Sequence, residues 1–505
     1  MTPAFLSAIK AYDIRGIVPD QIDNVFAREL GYAFATLVTS GATLLADAQY
    51  RVLLGHDIRL SGPEFVSELA IGLTFGGVSP SSIGLCGTEE IYHGVVEGNF
   101  DGGIMVTASH NPKGYNGFKL VGAGSCPIYN ETGLDQIKSH VLGRVQDGSY
   151  GQLGVSDTMS MESIDRTGVA KVNFQDIYVE KILGFVEPAS LSGLKIVLNA
   201  GNGSAGPILE KLAKRLPAEL IVIHGEADGH FPHGVPNPLL PDRRSVTSES
   251  VIAHGADFGV AFDGDFDRCF FFDEQGQFIE GYYLVGFLAE YFLSTVPTSK
   301  RSDAVILHDP RLLWGTTALV RNMGAQTMQG QTGHAFMKQL MRDSGAIYGG
   351  EMSAHHYFRD FFCCDSGMIP WLIVGSRIKE FGPLSSQMAK RMAAFPTQGE
   401  INLKVSDIDA VLGSIEHHFT VSSSGMHQSI DKPVSIDHLD GLSISFSDWR
   451  FNLRASNTEP LLRLNLESRG DRALMERKTR YVLDLITKLS TQSSANAASD
   501  QSSEQ

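Results

Sequence analysis

Short apolar runs alternate with longer amphipathic segments over most of the chain. The clearest runs are each followed by a polar or glycine-containing loop: Arg51–Gly55, Ile104–Thr107, Leu194–Asn199, Phe258–Asp263 and Ala304–Asp309. Segments typical of helices lie between them, for example at residues 63–73 and 206–216. Buried strands separated by helices predict an α/β fold with parallel strand pairs. Ligands bind such sheets at the loops that follow the carboxyl ends of the strands, so these loops are the places to search for chemistry.

Shifts in this pattern predict where domains begin and end. We expect an α/β domain at 1–170, a second at 171–277 and a third at 278–385. The pattern then changes to extended segments followed by one amphipathic helix, which predicts an α+β domain at 386–490. Residues 491–505 are mostly Ser, Ala, Asn and Gln with no apolar period, so we predict a disordered tail there.

Composition and charge narrow the class of protein. The 505 residues are 43% hydrophobic, which is enough for large cores and excludes wholesale disorder. The net charge of −16 argues against nucleic-acid or anionic-membrane partners. Five cysteines without a CxxC pair do not predict a disulfide framework or a zinc site. No apolar run approaches the roughly 18 residues of a membrane span, so we expect a soluble cytoplasmic protein.

The first loop with candidate chemistry is Thr107–Pro112, which follows a predicted strand. Its Ser109 lies between small and polar residues, as a nucleophile on an exposed loop would. An ordinary turn with a capping serine is an equally simple interpretation of this segment alone. No GxSxG elbow occurs around it, so hydrolase-type activation is not indicated.

The second loop carries three alternating carboxylates, Asp263, Asp265 and Asp267, followed by Arg268. Carboxylates at i, i+2 and i+4 on a tight loop can converge on one hard cation such as Mg²⁺. An EF-hand is the rival, but Arg268 takes the position where that loop requires glycine. A solvated acidic turn is the remaining alternative.

Two further polar loops occur towards the carboxyl end of the chain. Gly350–His356 offers Glu, Ser and His side chains, which suit the hydroxyl groups of a sugar, although an irregular polar loop explains it as well. Arg454–Pro460 brings guanidinium, hydroxyl and amide donors together, which suits a phosphate, although a hydrogen-bonded turn is the plain alternative.

Together and in this order, the four loops resemble those of the α-D-phosphohexomutase superfamily. That family has a phosphoserine loop TASHNP, a metal loop DGDxDR, a sugar loop GEMSxH and a phosphate loop RxSNTEP, and the likeness covers about 1–490. It implies three similar mixed-sheet α/β domains and a carboxyl-terminal α+β domain around a central cleft. The form Gly350–Ser353 is similar to the phosphomannomutase/phosphoglucomutase branch of the family.

The resemblance also assigns residues. The implied catalytic residues are Ser109, His110, Lys119, Arg268, His334 and His355. The implied substrate-binding residues are Tyr12, Arg15, Arg311, Glu351, Ser353, Arg454, Ser456, Asn457 and Thr458. The implied metal ligands are Ser109, Asp263, Asp265 and Asp267. The chain departs from common family residues at Gln331, Val235 and His56, which bears on fine specificity and not on the four loops.

The activity that the resemblance implies is a phosphohexomutase reaction through phosphorylated Ser109 and a hexose 1,6-bisphosphate. Mannose 6-phosphate and mannose 1-phosphate would interconvert, glucose phosphates would also react, and the product would feed GDP-mannose synthesis for polysaccharide. Expected cofactors are Mg²⁺ and hexose 1,6-bisphosphate as activator, and the expected state is a monomer or weak homodimer. A phosphoglucomutase-dominant enzyme, a sugar-phosphate phosphatase and a non-catalytic sugar-phosphate-binding protein are the alternatives.

Overall fold

The computed structural model describes residues 3–40, 49–153, 169–421, 432–456 and 461–503. The chain forms two compact units, and neither is one continuous stretch of sequence. The first unit comprises Met1–Ile279, Gly333–Tyr348 and Ser353–Leu384. The second comprises Glu280–Thr332, Gly349–Met352 and Ser385–Gln505.

The first sheet lies in the first unit and mixes parallel and antiparallel pairs. Its strands are β1 (Ile14–Ile17), β2 (Arg51–His56), β3 (Ser79–Leu85), β4 (Gly102–Val106), β5 (Tyr115–Gly122) and β6 (Ala170–Lys171), in the order β1-β5-β4-β2-β3-β6. β2 pairs in parallel with β3 and β4, while β5 is antiparallel to β1 and β4. The accompanying helices are α1 (Asn24–Ser40), α2 (Gly62–Phe75), α3 (Thr88–Glu97) and α4 (Leu134–Gln146). Apolar side chains from the strands and from α1, α2 and α4 form one buried core, which fixes where the strand ends emerge.

The second sheet, also in the first unit, has the same mixed character. Its strands are β7 (Lys195–Asn199), β8 (Glu219–Ile223), β9 (Phe258–Phe262), β10 (Cys269–Asp273) and β11 (Phe278–Ile279), in the order β11-β10-β9-β7-β8. The helices are α5 (Gln175–Leu183), α6 (Gly206–Ala213) and α7 (Ser245–His254). β7 pairs in parallel with β8 and β9, and the antiparallel hairpin β9–β10 encloses the predicted metal loop.

The next stretch of chain contributes strands and helices to both units. Its strands are β12 (Val305–His308), β13 (Gln326–Gln329), β14 (Tyr348–Gly350), β15 (His356–Phe358) and β16 (Cys364–Asp365). Its helices are α8 (Gly281–Thr295), α9 (Trp314–Asn322), α10 (His334–Ser344), α11 (Met368–Phe381) and α12 (Leu384–Ala394). β12 and β13 pair in parallel in the second unit, and β15 and β16 pair antiparallel in the first.

The last sheet is antiparallel and lies in the second unit. Its strands are β17 (Ile401–Leu403), β18 (Ser435–Asp437), β19 (Leu442–Ser445), β20 (Trp449–Ala455) and β21 (Leu462–Ser468), in the order β17-β21-β20-β19-β18. Helices α13 (Ile408–Val421) and α14 (Arg472–Ser503) complete this part. Val411, Phe419, Trp449, Val482 and Ile486 are among the side chains of its buried core.

The bounds of helix α14 extend to Ser503. The disorder predicted for residues 491–505 stays a prediction.

Helix α11 begins beside a buried carboxylate that belongs to α3, in the same unit. Glu89 is fully buried, and its Oε1 accepts the backbone N–H groups of Gly367 at 3.0 Å and Met368 at 3.2 Å. A negative charge at this position complements the positive end of the helix dipole. Burial nevertheless raises the pKa of Glu89 well above its usual value, against the lowering effect of these hydrogen bonds.

The fold class predicted from the sequence is confirmed. Parallel pairs occur among the predicted strands, and the carboxyl-terminal sheet is antiparallel with flanking helices, as an α+β domain requires. The predicted domain boundaries stay predictions. Within the part of the chain that the structure describes, no helix has the length and apolar character needed to cross a membrane.

Candidate active site

Ser109 lies on the loop that leaves β4, and it takes a left-handed backbone conformation with φ of 45°. Its side chain is buried, and its Oγ donates a hydrogen bond of 2.6 Å to Oδ2 of Asp263. The two loops approach so closely that a Cβ on Gly264 would lie 2.7 Å from the Ser109 carbonyl oxygen. Glycine at 264 is therefore needed for this contact, since real Cβ atoms do not come so near a backbone oxygen.

Arg59 and Asp57, which the sequence analysis missed, hold the Ser109 loop in place. The buried Arg59 guanidinium donates to the carbonyl oxygens of Ser109 and Asn111 at 2.9 and 2.6 Å. It also donates to the carbonyl oxygens of Pro112 and Tyr115. Oδ2 of Asp57 accepts a hydrogen bond of 2.7 Å from the hydroxyl of Thr107. Buried carbonyl groups need such donors, so this pair fixes the loop's conformation.

Three of the four predicted metal ligands come together in the turn that connects β9 and β10. Asp263, Asp265 and Asp267 are fully buried, and each has a carboxylate oxygen within 4.8 Å of the others. Within the described part of the chain, Oδ1 of Asp265 and Oδ1 of Asp267 have no hydrogen-bond partner. Two buried acceptors without donors beside a third carboxylate form a donor set that fits a hard divalent cation.

The electrostatics of the carboxylates agree with that fit. Burial and, after it, the neighbouring charge of Asp265 raise the pKa of Asp267 to about 6. Burial also tends to raise the pKa of Asp265, but the Lys119 ammonium outweighs it, and the pKa of Asp265 lies well below its usual range. Crowded carboxylates repel one another, and a bound cation relieves that repulsion.

Three cationic or titratable side chains surround Ser109 and the carboxylates. Lys119 on β5 donates to Oδ2 of Asp265 at 2.7 Å and also to Asp267. Arg268 donates to Ser109 Oγ at 3.2 Å and to Asp263 at 2.9 Å. Nδ1 of His110 lies 3.2 Å from Ser109 Oγ. Burial has the largest effect on the pKa of His110 and lowers it well below the usual value, and the positive charge of Arg268 lowers it as well.

The predicted histidines and Tyr12 also lie in the first unit. His334 begins α10, and the ring of Tyr12 meets it edge-on at 5.1 Å between centroids. Neither ring nitrogen of the buried His334 has a hydrogen-bond partner among the described residues, and burial lowers its pKa well below the usual value. His355 Nε2 lies 3.8 Å from Oδ1 of Asp267, and Ser353 Oγ lies 3.5 Å from His355 Nδ1.

Arg15 contacts the Ser109 loop, and its role in substrate binding stays a prediction. Its guanidinium donates to Oδ1 of Asn111 at 2.9 Å and pairs with Asp13 at 2.8 Å.

A buried ion pair that the sequence analysis did not find lies next to these histidines. Lys338, one helical turn after His334, donates to Asp365 at 2.9 Å and to the hydroxyl of Tyr92 at 2.7 Å. Asp365 also has a carboxylate oxygen within 4.8 Å of the ligand atoms of Asp267 and His355. Lys338 therefore offsets the charge of Asp365, the buried carboxylate next to Asp267.

The second unit holds the other predicted substrate residues around Arg311. Arg311 follows β12 and pairs with Asp309 at 2.6 Å and with Glu351 at 3.7 Å. Asp309 Oδ2 also accepts the backbone N–H of Met352 at 2.8 Å. This carboxylate therefore connects the predicted sugar loop to the loop that carries the buried guanidinium.

Glu400, also missed by the sequence analysis, lies among three arginines of the second unit. It pairs with Arg463 at 3.1 Å, Arg454 at 3.4 Å and Arg311 at 3.8 Å. Burial tends to raise the pKa of Glu400, but the three guanidinium groups outweigh it and lower the pKa. Three cations sharing one carboxylate leave capacity for a further anion.

The remaining predicted phosphate-binding residues belong to the loop between β20 and β21. Ser456 begins this loop and is half-buried. Asn457 and Thr458 lie outside the described residues, so their predicted role stays a prediction.

The chemistry open to these clusters is phosphoryl transfer. A serine hydroxyl, a carboxylate set suited to a divalent cation, and adjacent guanidinium and ammonium groups are the parts that such a reaction needs. The arginine cluster of the second unit is suited to a phosphate.

Four sequence families match the chain in order, and each is described as a phosphoglucomutase/phosphomannomutase domain. Domains I, II and III match 7–145, 176–276 and 280–395, and the carboxyl-terminal domain matches 400–483. The chain belongs to the phosphoglucomutase/phosphomannomutase family. This places it in the α-D-phosphohexomutase superfamily that the four loops indicate.

Individual relatives agree with this family. A phosphomannomutase of Salmonella typhimurium is 46% identical over 487 residues, which is 95% of this chain and 99% of that protein. A Xanthomonas campestris protein described as phosphohexose mutases is 45% identical over 482 residues, with the same coverage of both chains. The crystal structure of a phosphoglucomutase/phosphomannomutase family protein from Burkholderia thailandensis is similar with a TM-score of 0.77 and 29% identity, covering 96% of this chain and 97% of that one.

Proposed function

We propose that this family member is a phosphomannomutase that interconverts mannose 6-phosphate and mannose 1-phosphate. The observation that carries the proposal is the position of Ser109, buried and left-handed, with its Oγ bonded to Asp263 and within reach of Arg268. The relatives at 43–46% identity that are named phosphomannomutase support the choice of mannose phosphates. In a cell this activity would supply mannose 1-phosphate for GDP-mannose and polysaccharide synthesis.

In the proposed reaction Ser109 carries a phosphoryl group on Oγ. A sugar hydroxyl attacks the phosphorus, the bond to Ser109 Oγ breaks, and a hexose 1,6-bisphosphate forms. Arg268, which lies 3.2 Å from Oγ, stabilises the negative charge that develops on the departing serine oxygen. The reverse transfer from the other end of the bisphosphate restores the phosphoserine.

The attacking hydroxyl must lose a proton to a base. His334 is suited to accept it, because burial keeps the imidazole neutral and leaves its nitrogens without protein partners in the described chain. Lys119 is suited to the opposite step. The charges of Asp265 and Asp267 outweigh its burial and raise its pKa, so it stays protonated and can donate. His355, beside Asp267, is the remaining candidate for either step.

The carboxylates of Asp263, Asp265 and Asp267, together with Ser109, would hold Mg²⁺. When bound, the ion would polarise phosphoryl oxygens and offset the charge that develops during transfer. The protein's own part is to keep the three carboxylates buried and close together, which it does with the β9–β10 hairpin and Gly264.

The non-reacting phosphate is proposed to bind at Arg311, Arg454 and Ser456, together with Asn457 and Thr458. Glu351 and Ser353 would accept and donate hydrogen bonds to the hexose hydroxyls. Hexose 1,6-bisphosphate would act as the activator, because it can phosphorylate a Ser109 that has lost its phosphoryl group.

The direct test is replacement of Ser109 by alanine. Removal of the covalent route should lower the rate of mannose 1-phosphate isomerisation by at least about 10³-fold, and the phosphate found by mass spectrometry on Ser109 should disappear. Ser125→Ala is the matched control, since Ser125 is also buried and left-handed, with φ of 57°. Full activity in Ser109→Ala, or phosphate carried by another residue, would contradict the proposal.

A second test separates a mutase from a phosphatase and from a binding protein. Starting from mannose 1-phosphate with catalytic bisphosphate, formation of mannose 6-phosphate is expected to exceed release of inorganic phosphate. Predominant phosphate release would indicate a phosphatase, and binding without turnover would indicate a non-catalytic protein.

The metal assignment has its own measurement. Mg²⁺ binding by calorimetry should weaken at least tenfold in Asp265→Asn, and chelation should abolish turnover until Mg²⁺ is added. Asp273→Asn is a suitable control, because Asp273 ends β10 in a turn and accepts backbone N–H groups there. Turnover that survives thorough chelation would rule the assignment out.

A further inference from the structure

Three of the five cysteines lie around one guanidinium group in the first unit. Cys126 follows the short turn Ala123–Ser125 that leaves β5, and Cys363 and Cys364 follow the turn Arg359–Phe361. Nη2 of Arg342 donates to the carbonyl oxygens of Ser125 at 2.9 Å and Phe362 at 2.6 Å. These are the residues directly before Cys126 and Cys363, so one nitrogen atom brings the two cysteine-bearing turns together.

Other contacts support this proximity. Sγ of Cys364 lies 3.7 Å from the carbonyl oxygen of Ser125, across the same junction. Burial has the largest effect on the pKa of the Cys363 thiol and raises it. The positive charges of Arg342 and Arg359 lower this pKa, and the Cys126 thiol makes a smaller raising contribution. The geometric basis for their proximity is the Arg342 guanidinium, which holds the two cysteine-bearing turns together.

The three thiols differ in their access to an oxidant. Cys126 is exposed and Cys363 is half-buried, whereas Cys364 is buried. Burial raises the pKa of Cys364 to about 11, which keeps it a thiol at neutral pH. Reaction with an oxidant from solution requires an accessible thiol, and Cys126 and Cys363 are the two accessible thiols beside Arg342.

The turn that carries Cys363 has an unusual backbone. Phe362 and Cys363 are both left-handed, with φ of 57° and 56°. The N–H groups of both residues donate to the Arg359 carbonyl oxygen, and the Phe362 carbonyl oxygen accepts the hydrogen bond from Arg342. The half-buried Cys363 is therefore held on the turn that Arg342 joins to the Cys126 turn.

We propose that Cys126 and Cys363 form a dithiol site that a hydroperoxide converts into an intramolecular disulfide. The Cys126 thiolate attacks one peroxide oxygen, the O–O bond breaks, and a sulfenic acid and water form when the peroxide is hydrogen peroxide. The Cys363 thiol then attacks the sulfenic sulfur, the S–S bond forms, and a second water leaves. Two sulfur atoms lose two electrons in total, and the peroxide is reduced to two waters.

The position of this site gives it a link to the rest of the unit. β5, which ends just before the Cys126 turn, carries Lys119, and Asp365 follows Cys364 and pairs with Lys338. The disulfide would connect these two segments covalently. It is a modification of the folded chain that depends on the oxidant and is independent of the proposed reaction.

The experiment uses the full chain treated with hydrogen peroxide under native conditions. Free thiols, titrated after unfolding, should fall from five to three per chain, because one disulfide consumes two. Non-reducing peptide mapping should find the peptides of Cys126 and Cys363 linked and lighter by two hydrogens, and dithiothreitol should reverse the change. Cys363→Ser should abolish the link, while Cys364→Ala, its sequence neighbour, should keep it.

Several results would overturn the proposal. One is a bridge from Cys126 to Cys364, assigned by fragmentation of the linked peptides. Another is a disulfide-bonded dimer on a non-reducing gel, which would show that the exposed Cys126 pairs between chains. A third is separate oxidation of the thiols to sulfinic acids with no bridge. If Cys364→Ala does not fold, the map of the unsubstituted chain still identifies the partner of Cys126.

Discussion

At the scale of single residues, the conformation of the Ser109 loop depends on one guanidinium group beneath it. Arg59 donates to four carbonyl oxygens of residues 109–115, and the planar fork of arginine is what allows four bonds at once. A left-handed serine is a strained conformation, and strain persists only where the surroundings hold it. Arg59 is therefore a positioning residue for the proposed nucleophile.

Arg59→Lys should keep the positive charge and lose the planar guanidinium group that donates several hydrogen bonds at once. We expect kcat to fall by about ten- to a hundredfold with little change in KM, because the displaced oxygen no longer meets its substrate at the right distance. Arg51→Lys is the matched control, since Arg51 also donates to two backbone carbonyls, those of Gly98 and Asn99, on the exposed side of β2. Equal losses in both variants would show a general effect on folding.

Arg454 belongs to the cluster proposed to hold the non-reacting phosphate. Arg454→Ala should mainly raise KM, by about 1.5–3 kcal/mol or roughly ten- to a hundredfold, because charge-assisted hydrogen bonds are lost. Arg463→Ala is the comparison variant. Arg463 also pairs with Glu400, and it lies opposite Arg454 across the β20–β21 pair. An Arg454→Ala enzyme with unchanged KM and reduced kcat would refute a phosphate-binding role.

The residues that sequence reasoning missed fall into two groups. Asp57 and Arg59 follow β2 at the same edge as the Ser109 loop, because β2 pairs in parallel with β4 and His56 is opposite Val106. The rule used for the other loops applies to them, so their signal was present in the sequence. Glu400 and Lys338 are different. Their partners are far away in sequence, and only the folded chain brings them together.

At the scale of elements, the first turn of α3 contains a carboxylate in an unusual setting. Glu90 is buried, and its carboxylate accepts the backbone N–H of Gly87 at 2.8 Å. Burial raises its pKa from 4.5 to about 7, although the hydrogen bonds from Gly87 and Gln175 act in the opposite direction. The folded chain therefore binds a proton that the unfolded chain releases between these two pH values.

The sign of the resulting pH dependence follows from that proton. Stabilisation is complete below about pH 4.5 and is lost as the pH rises through about 7, by up to roughly 3 kcal/mol. Glu90→Gln should remove this part of the dependence in thermal unfolding measured from pH 4.5 to 7.5. Glu97→Gln, an exposed position at the end of the same helix, should leave the profile as it is. Parallel profiles for the unsubstituted chain and Glu90→Gln would show that Glu90 is ionised when folded.

The elements themselves were largely predictable, because apolar runs and helical spacing are local. Pro63–Leu73 lies within α2, and 206–216 starts where α6 starts. The carboxyl-terminal bound of α14 was not predictable in this way, because the apolar spacing used to recognise helices stops before Ser503.

At the scale of the whole molecule, the proposed reaction limits how selective the enzyme can be. A mutase must bind its hexose with the phosphate on C1 or on C6. A half-turn of the ring roughly exchanges the 3- and 4-hydroxyls, so Glu351 and Ser353 could serve either orientation. The 2-hydroxyl, where mannose and glucose differ, has no equivalent after the turn.

Both sugars should therefore react. We expect kcat/KM for mannose 1-phosphate and glucose 1-phosphate, measured with the same bisphosphate, to differ by about 10–200-fold. A ratio above about 10⁴ would require a buried hydrogen bond to the 2-hydroxyl from a residue outside Gly350–His355. Such a result would overturn the orientation argument without affecting the role of Ser109.

The contact between Glu89 and the start of α11 has a consequence for synthesis on the ribosome. Glu89 leaves the ribosome long before Gly367 and Met368, whose N–H groups it accepts in the finished protein. The first unit also needs Gly333–Tyr348 and Ser353–Leu384, so about three-quarters of the chain must emerge before that unit can close. Until those residues emerge, the side chain of Glu89 stays hydrated and the first unit of the nascent chain cannot complete its fold.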